Sequence, residues 1–307
     1  MPICTKKELP AYSILEKENI FVMGEDRAMH QDIRPLEILI LNLMPLKEDT
    51  ELHILRMLSN TPLQCKVTLI CTESHEAMHT PKEHLINFYQ TFSDVKNNKY
   101  DGMIITGAPV ELMEFEEVDY WPEVCEIFDW AKTNVTSTLY LCWGAQAALY
   151  HYYGVKKHKL DKKVFGVFSH KVQHRKVPLV RGFDDYFMVP HSRNTESDIN
   201  DVKNIDDMII LAESEEAGLL LCMTEDGSEI YCMGHPEYDR YTLDKEYQRD
   251  MAKGLSYVDL PVNYYPDDNP ENKPNLSWRS HANTLYTNFL NYYVYQNTPY
   301  EWNKISQ

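Results

Sequence analysis

The chain has 307 residues, 43% of them hydrophobic and 25% charged, the make-up of a globular protein with one large domain or two small ones. Its formal net charge of −17 argues against nucleic acid or an anionic membrane as a partner, and a small anionic ligand would need a local cluster of Lys or Arg. The seven cysteines are scattered without a Cys-x-x-Cys pair, and there is neither a signal-like apolar leader nor an apolar run of the length that spans a bilayer, so reduced thiols and a cytoplasmic chain without a metal site are expected.

Residues 1–30 read as a polar lead-in packed on the outside of the core, with a short apolar patch at Ile20-Phe21-Val22-Met23. Leu36 to Leu43 is almost continuously apolar, as a parallel strand buried on both faces must be. Pro45 ends it, and a helix is predicted through Met57-Leu58. Lys66 to Cys71 predicts a second strand, Pro81 to Phe92 a helix, and Asp101 to Thr106 a third strand that stops at the tight turn Gly107-Ala108-Pro109. Val124, Phe128 and Ala131 give Trp121 to Lys132 a helical period. A fourth strand then runs into Leu139-Tyr140-Leu141.

Strand and helix alternating in this way predict an α/β domain with a mostly parallel sheet, flavodoxin-like in layout, with right-handed crossovers. Sites in such sheets form beyond the carboxyl ends of the strands. Lys47, Gly107 to Glu111 and Cys142 all follow predicted strand ends, which aims them at one crevice. The second half is expected to add antiparallel strands at Lys162 to Val172, Asp185 to Pro190, Met208 to Glu213, Gly218 to Thr224 and Ser228 to Met233. The last two are joined by a hairpin turn at Thr224-Glu225-Asp226-Gly227. A charged helix at Asp239 to Gly254, a proline-rich loop at Pro261 to Asn275 and an amphipathic closing helix at Trp278 to Gln296 complete the chain. No repeat or clear boundary divides it, so residues 1–307 are read as one domain: the lead-in to residue 34, a parallel half over 35–154 and a second half over 155–307.

Cys142 sits in strand-Cys-Trp-Gly-helix context. A thiol at that turn faces the free N–H groups of the following helix, which stabilise a thiolate and can hold a developing oxyanion. The arrangement is the cysteine counterpart of the serine nucleophile elbow. A buried inert cysteine is the alternative, and a base nearby decides between them. Among twelve histidines, His235 stands out because it follows a strand in Gly234-His235-Pro236-Glu237. In a turn the imidazole and Glu237 can meet directly, giving a Cys142–His235–Glu237 triad. The alternative is a solvated surface turn.

These motifs resemble a known family. Cys-x-Gly after a strand and a late His-Pro-Glu are similar to the class I glutamine amidotransferase-like fold. More narrowly, six stretches resemble the homoserine O-acyltransferases of methionine biosynthesis: Glu18 to Met23, His30 to Leu36, Leu41 to Pro45, Tyr140 to Ala147, Arg181 to Asp185 and Pro190 to Arg193. Gly234 to Tyr238 is a seventh. The resemblance implies a two-step transfer in which Cys142 takes an acyl group from acyl-CoA as a thioester and the hydroxyl of L-homoserine then removes it. His235 would be the base, Glu237 its orienting group, and the N–H of Trp143 an oxyanion donor. Lys163, Ser192 and Arg249 would contact homoserine, and Arg249 suits a bidentate grip on its carboxylate. Lys47 would touch CoA or support the oxyanion. The family ties acyl choice to the position of Glu111, where a glutamate implies acetyl-CoA over succinyl-CoA; an exposed Glu111 would leave the choice open. A homodimer is expected, and acetyl-CoA is a co-substrate rather than a bound cofactor. A glutaminase or cysteine hydrolase of the same fold is the rival, although the amidotransferase elbow usually has Gly two residues before the cysteine, where this chain has Tyr140.

Overall fold

The computed structural model describes residues 3–18, 22–24, 34–74, 80–254 and 258–298. Ile20-Phe21 of the expected apolar patch and the stretch His30 to Ile33 lie outside the described residues. The lead-in does more than pack on the outside of the core. Its strands β1 (Ile3–Thr5) and β2 (Val22–Gly24) pair in parallel with each other, and β1 pairs with β4 (Cys65–Ile70), so they extend the sheet at one edge.

The apolar runs become the central strands: β3 (Leu36–Leu41), β4, β6 (Tyr100–Ile105) and β7 (Val135–Leu141), with two-residue β5 (Tyr89–Gln90) beside β4. Their side chains feed two cores. Ile38, Ile40, Ile104, Leu139 and Leu141 belong to one, and Leu39, Leu41, Met103, Ile105 and Tyr140 to the other. That alternation is why β3, β6 and β7 have no solvent-exposed face, whereas Lys66 and Thr68 leave part of β4 open. The helix Trp121–Asn134 covers one side with Val124, Ile127, Phe128 and Ala131, a 3.6-residue stripe.

The helix predicted over Pro81 to Phe92 is broken. It runs only over Lys82–Phe88, after which Tyr89-Gln90 is extended and pairs with Leu69-Ile70. The Tyr89 hydroxyl donates to Glu51 at 2.7 Å and accepts from the Asn42 amide at 2.8 Å, and Thr91 and Asp94 form a capping box that starts a new short helix, Phe92–Val95.

In the second half, β8 (Lys157–Val172), β9 (Tyr186–Ser197), β10 (Met208–Ser214) and β11 (Gly218–Thr224) are antiparallel as expected. β12 (Glu229–Cys232) corrects the expectation in part. It is antiparallel to β11 but parallel to β7, with Cys232 opposite Leu141. The strand order is β2-β1-β4-β3-β6-β7-β12-β11-β10-β8-β9. β12 therefore welds the parallel and antiparallel parts into one sheet, and its end lies beside the end of β7. The closing helix covers Arg279–Asn288 and continues as a π-helical stretch, Phe289–Tyr295. No helix among the described residues is long and apolar enough to cross a membrane.

Candidate active site

β7 ends on Cys142, whose backbone takes φ 48° and ψ −116°, and the helix Trp143–Tyr153 begins at the next residue. A non-glycine residue held at that φ is strained, and the surrounding structure must over-determine it. The Cys142 N–H is fixed by the carbonyl of Cys232 at 2.8 Å, while the Cys142 carbonyl accepts from Ala145 at 3.0 Å and Gln146 at 3.1 Å. Gly144 is required by close approach, since a Cβ there would meet the Thr106 carbonyl oxygen at 2.6 Å. A Cβ on Gly107 would sit 3.3 Å from the Cys142 Cβ and 3.5 Å from the Trp143 nitrogen, so glycine keeps open the space in front of the helix N-terminus. The Trp143 ring is buried among Phe115, Tyr120 and Trp121. Only its backbone N–H is left to serve the thiol side.

His235 follows β12 in a turn. Its N–H donates to the Pro190 carbonyl at 2.8 Å, and the Tyr238 N–H donates back to the His235 carbonyl at 3.2 Å. In that turn the imidazole and carboxylate meet: Nδ1 of His235 lies 2.8 Å from Oε1 of Glu237, and both residues are 5% exposed. The imidazole also faces Cys142, which is among the groups that act on its charge. Tyr238 stacks on it, with ring centroids 4.2 Å apart and an interplanar angle of 14°. Burial disfavours the imidazolium, but the charges of Cys142 and Glu237 and the hydrogen bond to Glu237 outweigh it and hold the His235 pKa well above its ordinary value. The site is thus built to carry a proton on His235 opposite Cys142.

Lys163 on β8, Ser192 on β9 and Arg249 on the helix Thr242–Ala252 converge on a carboxylate pair that sequence reasoning missed. Ser192 Oγ donates to Oε2 of Glu246 at 2.5 Å, and the Tyr238 hydroxyl donates to Oε1 at 3.0 Å. Lys163 Nζ is 3.9 Å from Glu246 and 3.5 Å from Asp250, and Nε of Arg249 donates to Asp250 at 2.9 Å. That bond, with the nearby negative charge, raises the Arg249 pKa. Glu246, Arg249 and Asp250 are spaced i, i+3, i+4, one face of a helix. That spacing was the available signal, hidden because most of this helix, Asp244 to Glu246 and Gln248 to Asp250 included, is charged or polar.

Glu111 is not a free surface acid. Its carboxylate accepts from the Asn194 N–H at 2.8 Å, the Asn194 amide at 2.6 Å and the Thr195 hydroxyl at 3.4 Å, all on β9. The neighbouring Arg193 is 2% exposed and has both Cys142 and Glu111 among its electrostatic partners. Glu111 is thereby tied into the wall of the same crevice. Lys47 also lies at the crevice, 5% exposed, but its ammonium donates to the carbonyls of Asn42 at 2.6 Å and Met44 at 3.3 Å. Burial lowers its pKa, and Cys71 and Glu51 are the charges it answers to. Cys142 is not among the hydrogen-bond or charge partners found for Lys47.

Behind the site, His170 and His191 form a fully buried pair with Nε2 atoms 3.0 Å apart. Burial pushes His170 down to about 3 and His191 well below its ordinary range. Above pH ~6.5 both are neutral whether folded or unfolded and add no pH dependence. Below it the unfolded chain takes up protons that the folded pair refuses, so stability should fall from about pH 6.5 toward about pH 3. Denaturation midpoints measured across that window should show the loss, and His170→Gln should flatten it.

The mixed, mostly parallel sheet flanked by helices, with a thiol elbow beside an imidazole and a carboxylate, places the chain in the class I glutamine amidotransferase-like fold. Among solved structures, a glutamine amidotransferase from Thermotoga maritima superposes with a TM-score of 0.55 at 13% identity, covering 84% of this chain and 98% of that one. One from Methylobacillus flagellatus gives 0.51 at 12% identity, covering 84% and 95%. These likenesses concern fold alone. The model of the homoserine O-succinyltransferase family matches residues 2–300. Curated relatives named homoserine O-acetyltransferase include those of Agathobacter rectalis, 62% identical over 98% of this chain and 97% of that protein, and Lachnoclostridium phytofermentans, 62% identical over 98% and 100%. That of Geobacillus kaustophilus is 56% identical over 98% and 100%. The chain belongs to the homoserine O-succinyltransferase family.

Proposed function

We propose that this chain is a homoserine O-acetyltransferase that moves acetyl from acetyl-CoA to the hydroxyl of L-homoserine through a thioester on Cys142. The observation that carries the reading is the continuous Cys142–His235–Glu237 relay at a positive-φ elbow, joined to full-length relatives of that name. The Cys142 thiolate attacks the acetyl carbonyl, and the N–H of Trp143 receives the oxyanion in the space that Gly107 leaves. CoA departs with the proton held by His235. His235 then accepts the homoserine hydroxyl proton as that oxygen attacks the thioester, and Cys142 leaves as thiolate. Glu237 holds the imidazole in the tautomer and orientation that both steps need. The thioester nearly conserves the free energy of the CoA thioester.

Homoserine is a zwitterion, and the cluster beyond Tyr238 suits one. Arg249 and Lys163 are cations for its carboxylate, while Glu246, held by Ser192 and Tyr238, is the acceptor for its ammonium. Glu246→Gln should raise the KM for homoserine about ten- to hundredfold, as loss of a buried charge-assisted bond does. The KM for acetyl-CoA should stay unchanged; steady-state rates with each substrate varied measure the split. Glu111 favours acetyl because its anchored carboxylate stands where a succinyl tail would bring a second one. The homodimer, the cytoplasmic location and the reading of 1–307 as one domain belong to this proposal and rest on the family and on the sequence.

Initial rates over a grid of both substrates test the mechanism. Parallel double-reciprocal lines are expected for an acetyl-enzyme that releases CoA before homoserine reacts. Intersecting lines would point to direct transfer.

A further inference from the structure

Glu237 uses one oxygen on His235. Its second, Oε2, is buried and has no hydrogen-bond partner among the described residues. A buried carboxylate oxygen left so is costly, which asks for a donor close by. Of the nearby side-chain donors, Cys232 Sγ donates to the Gly234 carbonyl, and the ring of His281, which lines one cavity with Pro236 and whose Nδ1 is also buried without a partner, pairs through Nε2 with Asp184 at 3.2 Å, so each has at least one acceptor. The Tyr286 hydroxyl has none among the described residues. Tyr286 is 0% exposed on the closing helix, and its oxygen is buried without a partner.

Ala282, Leu285 and Tyr286 lie at i, i+3 and i+4, so they share one face of that helix. Ala282 and Leu285 line a cavity of about 10 Å³ together with Cys232 and Pro236. The face that carries Tyr286 is therefore packed on the His235-Pro236-Glu237 turn. We propose that the Tyr286 hydroxyl donates to one buried water that in turn donates to Oε2 of Glu237, and so is a positioning residue for His235 delivered by the closing helix. Consistent with this, after burial itself, Glu237 and Cys232 are the groups that push the Tyr286 phenol up. The proposal rests on the acyl-transfer reading only in treating His235 as the base of Cys142.

Tyr286→Phe removes the oxygen and keeps the ring. Two rates at Cys142, each followed by peptide mass, test the role: alkylation by iodoacetamide and acetylation by acetyl-CoA. Both should fall about tenfold near pH 7, the size expected for one bond to a buried charge acting through a second residue. The KM for homoserine should not move. In a Glu237→Gln background, adding Tyr286→Phe should change the alkylation rate less than about twofold, because the two act as one unit. Equal rates in Tyr286→Phe and the parent, or the same loss in both backgrounds, would overturn the proposal. A parent protein that takes no acetyl group at Cys142 would instead strike the acyl-transfer reading, and the alkylation cycle would still decide the Tyr286–Glu237 coupling.

Discussion

Cys142→Ala should lower the kcat of acetyl transfer by about 10,000-fold or more, the scale at which removal of a covalent nucleophile leaves only binding and oxyanion stabilisation. The structure makes this the most damaging single change. Cys142 is held at φ 48° between β7 and a helix N-terminus, and its thiol is the group that His235 and Glu237 are stacked up to serve. Nothing else at the crevice substitutes: Cys232 is buried beside β7, and burial drives its pKa far up, while Cys71 lies at the end of β4 near Lys47. Folding should survive, since alanine is smaller and the elbow's backbone bonds to Cys232, Ala145 and Gln146 use main-chain atoms. The check is CoA release with homoserine and acetyl-CoA, beside a thermal melt. Activity within tenfold of the parent would remove Cys142 from the mechanism.

Glu111→Gly should move the ratio of kcat/KM for succinyl-CoA over acetyl-CoA upward by about 100- to 1,000-fold. Two carboxylates about 4 Å apart at an effective dielectric near 20 repel by roughly 4 kcal/mol, which is about three decades in rate when fully felt in the transition state. Arg193, within reach of Glu111, offsets part of that, so the lower end of the range is included. The substitution also does something positive. It leaves the Asn194 N–H, the Asn194 amide and the Thr195 hydroxyl without their acceptor, and a succinyl carboxylate can take up those donors. Glu111→Gln separates charge from bulk: it should recover part of the shift if repulsion dominates and none if space does. Competition between the two acyl-CoAs, read as the mass of the product, measures the ratio directly. An unchanged ratio in both variants would take acyl choice away from this position.

The parallel half was legible because its strands are buried on both faces, and such runs as Leu36 to Leu43 have one structural reading. The elbow was legible from Cys142 and Gly144, since only a turn that crosses the end of β6 needs glycine there. The direct meeting of His235 and Glu237 followed from Pro236, which forbids a straight strand. What the sequence concealed is tertiary. Four residues, Glu229 to Cys232, carry no period that says which neighbour they join in parallel, yet that pairing is what sets His235 beside Cys142. Tyr89-Gln90 breaks a predicted helix because partners at Asn42, Glu51 and Leu69 lie far away in sequence. Glu246 is one charge among many in the helix predicted over Asp239 to Gly254, and its partners Ser192 and Tyr238 reach it only through the fold.

The central claim is the acetyl-thioester on Cys142, and intact mass after brief mixing with acetyl-CoA or succinyl-CoA, without homoserine, tests it most directly. The account predicts one acetyl adduct, mapped to Cys142 and discharged when homoserine is added, with little or no succinyl adduct. An adduct from succinyl-CoA alone would keep the mechanism and contradict the role given to Glu111. No adduct from either donor would contradict the account and favour the hydrolase reading of the same fold.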